Sequence, residues 1–184
     1  ARQYGWTGKG VGIAVIDSGI SDDPDQDDAK GKTRVVYNQA FGVKGTVDVY
    51  GHGTHVADIA AGNGASSNGT YTGLAPGANL INLRVLDDNG NGVESSVIAA
   101  IQTAVQLKTT YNIRVINLSL GRAVYESYTH DPLCQAVEAA WRAGIAVVVA
   151  AGNNGRDDMN GSSGYGTINA PANDPYVITV GAMK

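Results

Sequence analysis

Three kinds of polar residue, at three places in this chain, could together perform acid–base chemistry. They are Asp17, the histidine pair His52 and His55, and Asn153. An imidazole titrates near neutral pH and is the commonest protein general base. A carboxylate beside it fixes the tautomer and steadies the imidazolium that forms. A side-chain amide can donate a hydrogen bond to an oxygen that becomes negative during reaction. The two histidines lie three apart in Gly51-His52-Gly53-Thr54-His55-Val56-Ala57-Asp58, among small residues. Alone, that stretch is compatible with a base, a metal ligand or a packed core histidine. The set lacks a nucleophile.

Short apolar strands must position these side chains. The run Gly10-Val11-Gly12-Ile13-Ala14-Val15-Ile16 ends at Asp17. A continuous apolar run, unlike an alternating one, marks a strand buried on both faces. A weaker second strand covers residues 33–37. A helix runs from His52 to Ala61 and closes at Gly62-Asn63-Gly64, before a surface loop rich in Gly, Ser and Asn over 62–73. Strand three spans 79–86 and leads into the turn 87–92. Val97, Ile98, Ile101, Ala104 and Val105 then recur on one helical face. Strand four spans 114–120 and stops at Gly121. Asp131-Pro132 supplies an N-cap with proline in the first helical position, and Gly144 ends that helix. Strand five, 145–151, is the most apolar run, and strand six covers 176–181.

This alternation predicts a three-layer α/β domain, a mostly parallel sheet with helices on both faces. With no internal repeat and no linker, residues 1–184 read as a single domain. In such sheets, ligands sit outside the carboxyl ends of the strands. Asp17, Ser119-Leu120-Gly121 and Gly152-Asn153 all fall there, and His52, opening a helix, can join them on one rim.

The bulk properties narrow the partners. A chain of 184 residues can bury a substantial core. Its net charge is −4 with no basic run, which argues against nucleic acid. No apolar stretch approaches membrane-spanning length, and no signal peptide is visible. The start at Ala1-Arg2 fits a processed or trimmed terminus. The lone cysteine, Cys134, can form no intrachain disulfide and falls in an apolar helical pattern, as a small buried hydrophobe would. The one charge run, Asp22-Asp23-Pro24-Asp25-Gln26-Asp27-Asp28, reads as a solvated turn, with calcium as the sharper alternative.

Four strings fix a family likeness. Val15-Ile16-Asp17-Ser18-Gly19, Gly51-His52-Gly53-Thr54-His55-Val56-Ala57, Asn117-Leu118-Ser119-Leu120-Gly121 and Ala151-Gly152-Asn153 resemble the subtilisin-like serine proteases, in the family's order. The opening Gly5-Trp6-Thr7-Gly8-Lys9-Gly10-Val11, Gly73-Leu74-Ala75-Pro76-Gly77-Ala78 and Gly181-Ala182 extend the likeness over nearly the whole chain. The resemblance implies that Asp17 is the triad aspartate, His52 the base and Asn153 the oxyanion-hole donor. It implies that Ser119, Leu120 and Gly121 pair as a strand with substrate backbone, flanked by Gly90, Asn91 and Gly92. Ala151 and Gly152, with the segment near Asn169-Ala170-Pro171, would line the primary pocket. A secreted endopeptidase acting on peptide or protein substrates follows, with a propeptide inhibitor among its expected partners. No cofactor is required for the chemistry, and structural calcium is the one metal the resemblance admits.

Departures matter as much. Asp58 stands where the family usually has glycine. Loop 62–73 does not reproduce the calcium loop of the best-known members, so no metal ligands carry over there. Pro171-Ala172-Asn173-Asp174-Pro175 resembles a stretch that gives carbonyls to a weaker cation site. The family's Gly-Thr-Ser nucleophile is absent. Gly-Thr occurs at 45–46, 53–54, 69–70 and 166–167, never followed by serine. Ser18 adjoins the triad aspartate, Ser119 is on the binding strand and Ser162-Ser163 lies in a glycine-rich loop. The chain stops at Lys184, where the family domain continues. The expectation is an amino-terminal part of a protease domain, inactive and poorly soluble alone, completed by a carboxyl-terminal fragment carrying serine.

Two other readings remain at this stage. A non-catalytic subtilase-like module would bind extended peptides along Ser119-Leu120-Gly121 without cutting them. A metal hydrolase would use His52, His55 and Asp58, though zinc sites usually need a further ligand.

Overall fold

In the computed structural model, residues 2–156 and 166–182 are described. Six strands, β1 (Gly12–Asp17), β2 (Val35–Ala40), β3 (Asn79–Arg84), β4 (Ile113–Leu118), β5 (Ala146–Ala150) and β6 (Ile178–Val180), form one sheet in the order β2-β3-β1-β4-β5-β6. Every neighbouring pair is parallel. Among the described residues, three α-helices cover it: α1 (His52–Ala61), α2 (Glu94–Tyr111) and α3 (Pro132–Arg142).

All six residues of β1 are buried, as a continuous apolar run requires of a central strand. Its side chains alternate between two cores. Ile13 and Val15 pack with Leu80 against Ala57 and Ala61 of α1. Ala14 and Ile16 join Ile81 and Leu83 in the larger cluster with Val97 and Ile101 of α2 and Val137 and Ala140 of α3. The helices therefore occupy both faces of a parallel sheet, the expected three-layer α/β arrangement. Cys134 is fully buried on α3, and burial, then the nearby Asp131 and Asp174 charges, push its thiol up to about 12.

Some boundaries depart from the sequence reading. The second strand starts at Val35, because Thr33 bridges Asp27 in the antiparallel sense and Arg34 turns inward. The fourth strand ends at Leu118, which leaves Ser119 and Leu120 beyond the sheet rather than within it. The third ends at Arg84, and Leu86 makes an isolated bridge to Gly92.

The carboxyl end of α1 is fixed by a buried arginine. Arg34, 6% exposed, donates to the carbonyls of Ala61 (2.6 Å), Ala78 (2.7 Å), Asp25 (2.9 Å) and Asp27 (3.1 Å). A buried carbonyl that loses its donor keeps its desolvation cost. Arg34→Met should therefore destabilise the protein by about 3 kcal/mol, a fall in Tm of roughly 6–12 °C by calorimetry. An unchanged Tm would refute this role.

On the outer side of α1, Asp58 accepts a hydrogen bond from Gln26 Nε2 at 3.2 Å. Burial, opposed by that hydrogen bond and reinforced by the charges of Asp23 and Asp25, holds its carboxyl above the usual carboxylate range. An acid whose pKa is raised on folding loses stability as pH climbs from the ordinary value through the raised one. Asp58→Asn keeps the Gln26 contact and removes the ionisation. Its Tm should exceed the parent's at neutral pH and match it at acidic pH, where Asp58 is already neutral. An equal gain at both would exclude the ionisation as cause.

Candidate functional site

His52 is the first residue of α1 and Asp17 the last of β1, so the site forms where a helix begins over a strand's carboxyl end. His52 Nδ1 lies 2.8 Å from Asp17 Oδ1. A carboxylate oxygen accepts, so in this contact the Nδ1–H tautomer donates and Nε2 is the ring nitrogen left facing away from Asp17. Asp17 is 1% exposed, and the Ser18 backbone amide donates to the same oxygen at 2.7 Å. The second carboxylate oxygen is buried without a partner among the described residues. The His52 side chain is 41% exposed. One partner is fixed in the interior and the other reaches the surface.

This approach requires Gly53. A Cβ there would come within 2.2 Å of the Gly19 carbonyl oxygen and 3.2 Å of Asp17 Cβ. Any side chain would push α1 off the strand end and open the His52–Asp17 contact.

The helix start has a second anchor that sequence reading missed. Asp48, 8% exposed, accepts from Ser18 Oγ (2.8 Å), the Gly51 amide (2.7 Å), the Thr54 amide (2.8 Å) and Thr54 Oγ1 (2.7 Å). Ser18 Oγ accepts in turn from the Gly53 amide at 2.9 Å. Gly51, the N-cap, supplies no side chain, so Asp48 and Ser18 satisfy the first amides from outside the helix. Burial pushes the Asp48 carboxyl up, but the hydrogen bonds from Thr54, Gly51 and Ser18 outweigh it and hold the group below its ordinary value. The loop before Asp48 is held by Arg84, 2% exposed, which donates to the carbonyls of Val47 (2.6 Å) and Lys44 (3.2 Å). A charged residue inside the apolar run 80–86 was the available signal. Asp48 lies in a stretch without periodicity, and its contact with Ser18 spans 30 residues.

His52 opens onto a cleft of about 510 Å³. Gly90, Asn91 and Gly92 line one part of it, Ser119, Leu120 and Gly121 another, and Asn153 a third. Tyr50, also unforeseen, lies with its ring centroid 6.4 Å from that of His52. Gly90 makes room for it: a Cβ there would meet the Tyr50 ring at 2.7 Å. Leu86, Val97 and Leu133 supply apolar lining, and Arg122 and Glu94 an ion pair. Arg122 also grips Asp131, the α3 N-cap, through both carboxylate oxygens at 2.9 Å.

Ala151 and Gly152 lie against Asn169, part of the segment with which the resemblance groups them. Ala151 is tied to Val180 and Asn169 by backbone hydrogen bonds at 2.9 Å, and Gly152 packs against the Asn169 side chain.

A zinc site on His52, His55 and Asp58 finds no ligand set among the described residues. His52 Nδ1 is committed to Asp17, and no group of three or more His, Cys, Asp or Glu among the described residues could hold a metal ion. In the acidic run, Asp23, Asp25 and Asp28 spend oxygens on the amides of Asp25, Ser66, Lys30 and Lys32. Among the available serines, Ser18 Oγ is engaged with Asp48 and Gly53, and Ser119 Oγ accepts from Asn117 Nδ2 at 2.9 Å. Ser162 and Ser163 lie outside the described residues.

Comparison with known proteins agrees with this geometry. A family model described as the subtilase family matches residues 8–184. The chain is 41% identical to serine protease AprX of Bacillus subtilis (strain 168) over 186 aligned residues, covering 96% of this chain and 39% of AprX. It is 36% identical to the minor extracellular protease Epr of the same organism, over 100% of this chain and 25% of Epr. The solved S41 psychrophilic protease superposes with a TM-score of 0.71 at 34% identity, covering 95% of this chain and 53% of that one. The chain spans well under two thirds of each of these proteins. Sequence and fold together place it plainly: this chain belongs to the subtilase family.

Proposed function

We propose that the chain is part of a secreted subtilisin-like serine endopeptidase. It supplies the triad aspartate and histidine, the oxyanion donor and the substrate-binding edges, and a companion carboxyl-terminal segment supplies the nucleophilic serine. The observation that carries this is the 2.8 Å contact between buried Asp17 and His52 at the mouth of a cleft that also holds Asn153. Secretion is supported by likeness to a protein named as extracellular. A companion segment is supported by β6, which pairs with β5 alone and leaves Ile178 and Val180 more than half exposed. The chain alone is then inactive.

In the completed site, a peptide lies extended between residues 90–92 and 119–121, held by backbone pairing. His52 Nε2 takes the serine proton as the serine oxygen bonds to the scissile carbonyl carbon, and Asp17 stabilises the resulting imidazolium. The Asn153 amide donates to the carbonyl oxygen as it becomes negative. The imidazolium then protonates the leaving amine as the C–N bond breaks, and water repeats the sequence on the acyl group. A propeptide inhibitor would use the same edges. A structural cation near residues 171–175, where buried Asp174 Oδ2 lacks a partner among the described residues, is a further proposal. No step depends on it.

His52→Ala in the completed enzyme should lower kcat by at least about 10⁴-fold without unfolding it. Activity within a few-fold of the parent would refute the assignment. A serine-directed fluorophosphonate should label the companion segment, as located by mass spectrometry. A folded, complete protein that resists labelling would favour the peptide-binding module instead. Asn153→Leu should cost about 10²–10³ in kcat with little change in KM, a magnitude established for this donor in another subtilisin. A selective rise in KM would instead make Asn153 a binding residue.

A further inference from the structure

Asparagine followed by glycine is the sequence at which a side-chain amide is most open to attack by the next backbone nitrogen, because glycine has no Cβ to hinder ring closure. Five such pairs lie within the described residues: Asn63-Gly64, Asn68-Gly69, Asn89-Gly90, Asn91-Gly92 and Asn154-Gly155. Hydrogen bonding separates them. The Asn63 side chain is held by the Pro24 and Asp27 carbonyls and the Ala65 amide. The Gly69 amide donates to the Gly64 carbonyl at 2.7 Å, and the Gly90 amide to the Asp87 carbonyl at 3.1 Å. The Asn154 side chain donates to Asn169 Oδ1 and the Thr167 carbonyl. At Asn91-Gly92, neither the Asn91 side chain nor the Gly92 amide has a hydrogen-bond partner among the described residues, and both residues are exposed. Of these five pairs, Asn91-Gly92 alone has both electrophile and nucleophile free.

We propose that Asn91 is a site of spontaneous deamidation at the edge of the cleft. The Gly92 amide nitrogen loses its proton to solvent base and bonds to Asn91 Cγ. The Cγ–Nδ2 bond breaks, ammonia leaves, and a five-membered succinimide remains. Water then opens either carbonyl of the ring, giving aspartate or isoaspartate. The net change is gain of water and loss of ammonia, with no redox step.

The product alters the edge in two ways. It places a new negative charge in the cleft lining. In the isoaspartate form the main chain runs through Asn91 Cβ and Cγ. The Asp87 amide, now 2.7 Å from the Asn91 carbonyl, then faces a free carboxylate, and the Leu86–Gly92 bridge loses its register. This functional consequence rests on residues 90–92 being a substrate edge; the modification itself does not.

The test is to age the folded protein at mildly alkaline pH and map the asparagines by peptide mass spectrometry, with electron-transfer fragmentation to distinguish isoaspartate. Among these five pairs, deamidation should appear first at Asn91 and be abolished there by Asn91→Ser. Earlier or equal conversion at any of the other four pairs would overturn the proposal. So would an Asn91 that stays intact in the folded protein while converting in the urea-unfolded chain. An uncleavable extended peptide bound in the cleft should slow the Asn91 reaction by engaging the Gly92 amide. Fast conversion at Asn91 with no protection by bound peptide would uphold the modification and sink the substrate-edge reading.

Discussion

The contact between His52 and Asp17 is the constraint to which the rest of the molecule answers. It demands that a helix start within hydrogen-bonding distance of the end of a central strand, with the carboxylate buried and the imidazole exposed. A buried carboxylate is costly unless its oxygens find donors. Asp17 takes the Ser18 amide and the His52 ring on one oxygen. The same turn therefore cannot vary freely: Ser18 supplies both that amide and the hydroxyl that links Asp48 to Gly53. The local sequence Asp17-Ser18-Gly19 and the helix start Gly51-His52-Gly53-Thr54 form one hydrogen-bonded unit, although they lie more than thirty residues apart.

Two buried arginines give that unit its foundation. Arg34 fixes the carboxyl end of α1, and Arg84 fixes the loop that delivers Asp48 to its amino end. Each guanidinium spends its donors mainly on backbone carbonyls, which irregular loops leave unpaired. A guanidinium suits this task because its planar donors reach several acceptors at once. The helix bearing His52 is thereby held at both ends by polar contacts and along one face by Ala57 and Ala61 against Ile13 and Val15. The small side chains on α1 let it approach the sheet closely.

Much of this was legible in the sequence, for physical reasons. Continuous apolar runs such as Ile13 to Ile16 specify central parallel strands, and the carboxyl ends of those strands indicate where polar residues converge. Asp17, His52 and Asn153 could thus be assigned to one rim before any coordinates. What could not be read was whatever depends on side chains meeting across loops. Asp48 and Tyr50 precede His52 in a stretch without periodicity, and their partners Ser18 and Gly90 are remote in sequence. Ser119 and Leu120 continue the apolar pattern of β4, so only the loss of pairing beyond Val149 reveals that they leave the sheet. Ala151 and Gly152 follow β5 just as Asn153 does, and only the hydrogen bond from the Asn169 amide to the Ala151 carbonyl shows which loop they meet.

The electrostatics of the cleft explain why a neutral amide would be needed in it. Helices that follow parallel strands begin at the carboxyl edge of the sheet, so α1, α2 and α3 all present amino termini there. Such termini carry partial positive charge and could stabilise a developing anion. In this molecule carboxylates already stand at all three, although Glu94 at α2 takes no helix amide among the described residues and pairs with Arg122 instead. Asp48 takes amides at the start of α1, Asp131 takes the Leu133 amide of α3, and Glu94 stands in the first turn of α2. Arg122 bridges two of these carboxylates and is itself neutralised by them. The dipoles are spent on holding the helices in place. In the proposed reaction, stabilising a transient oxyanion would then fall to a donor outside these ion pairs, and Asn153, exposed at the cleft beyond the end of β5, carries a side-chain amide of that kind.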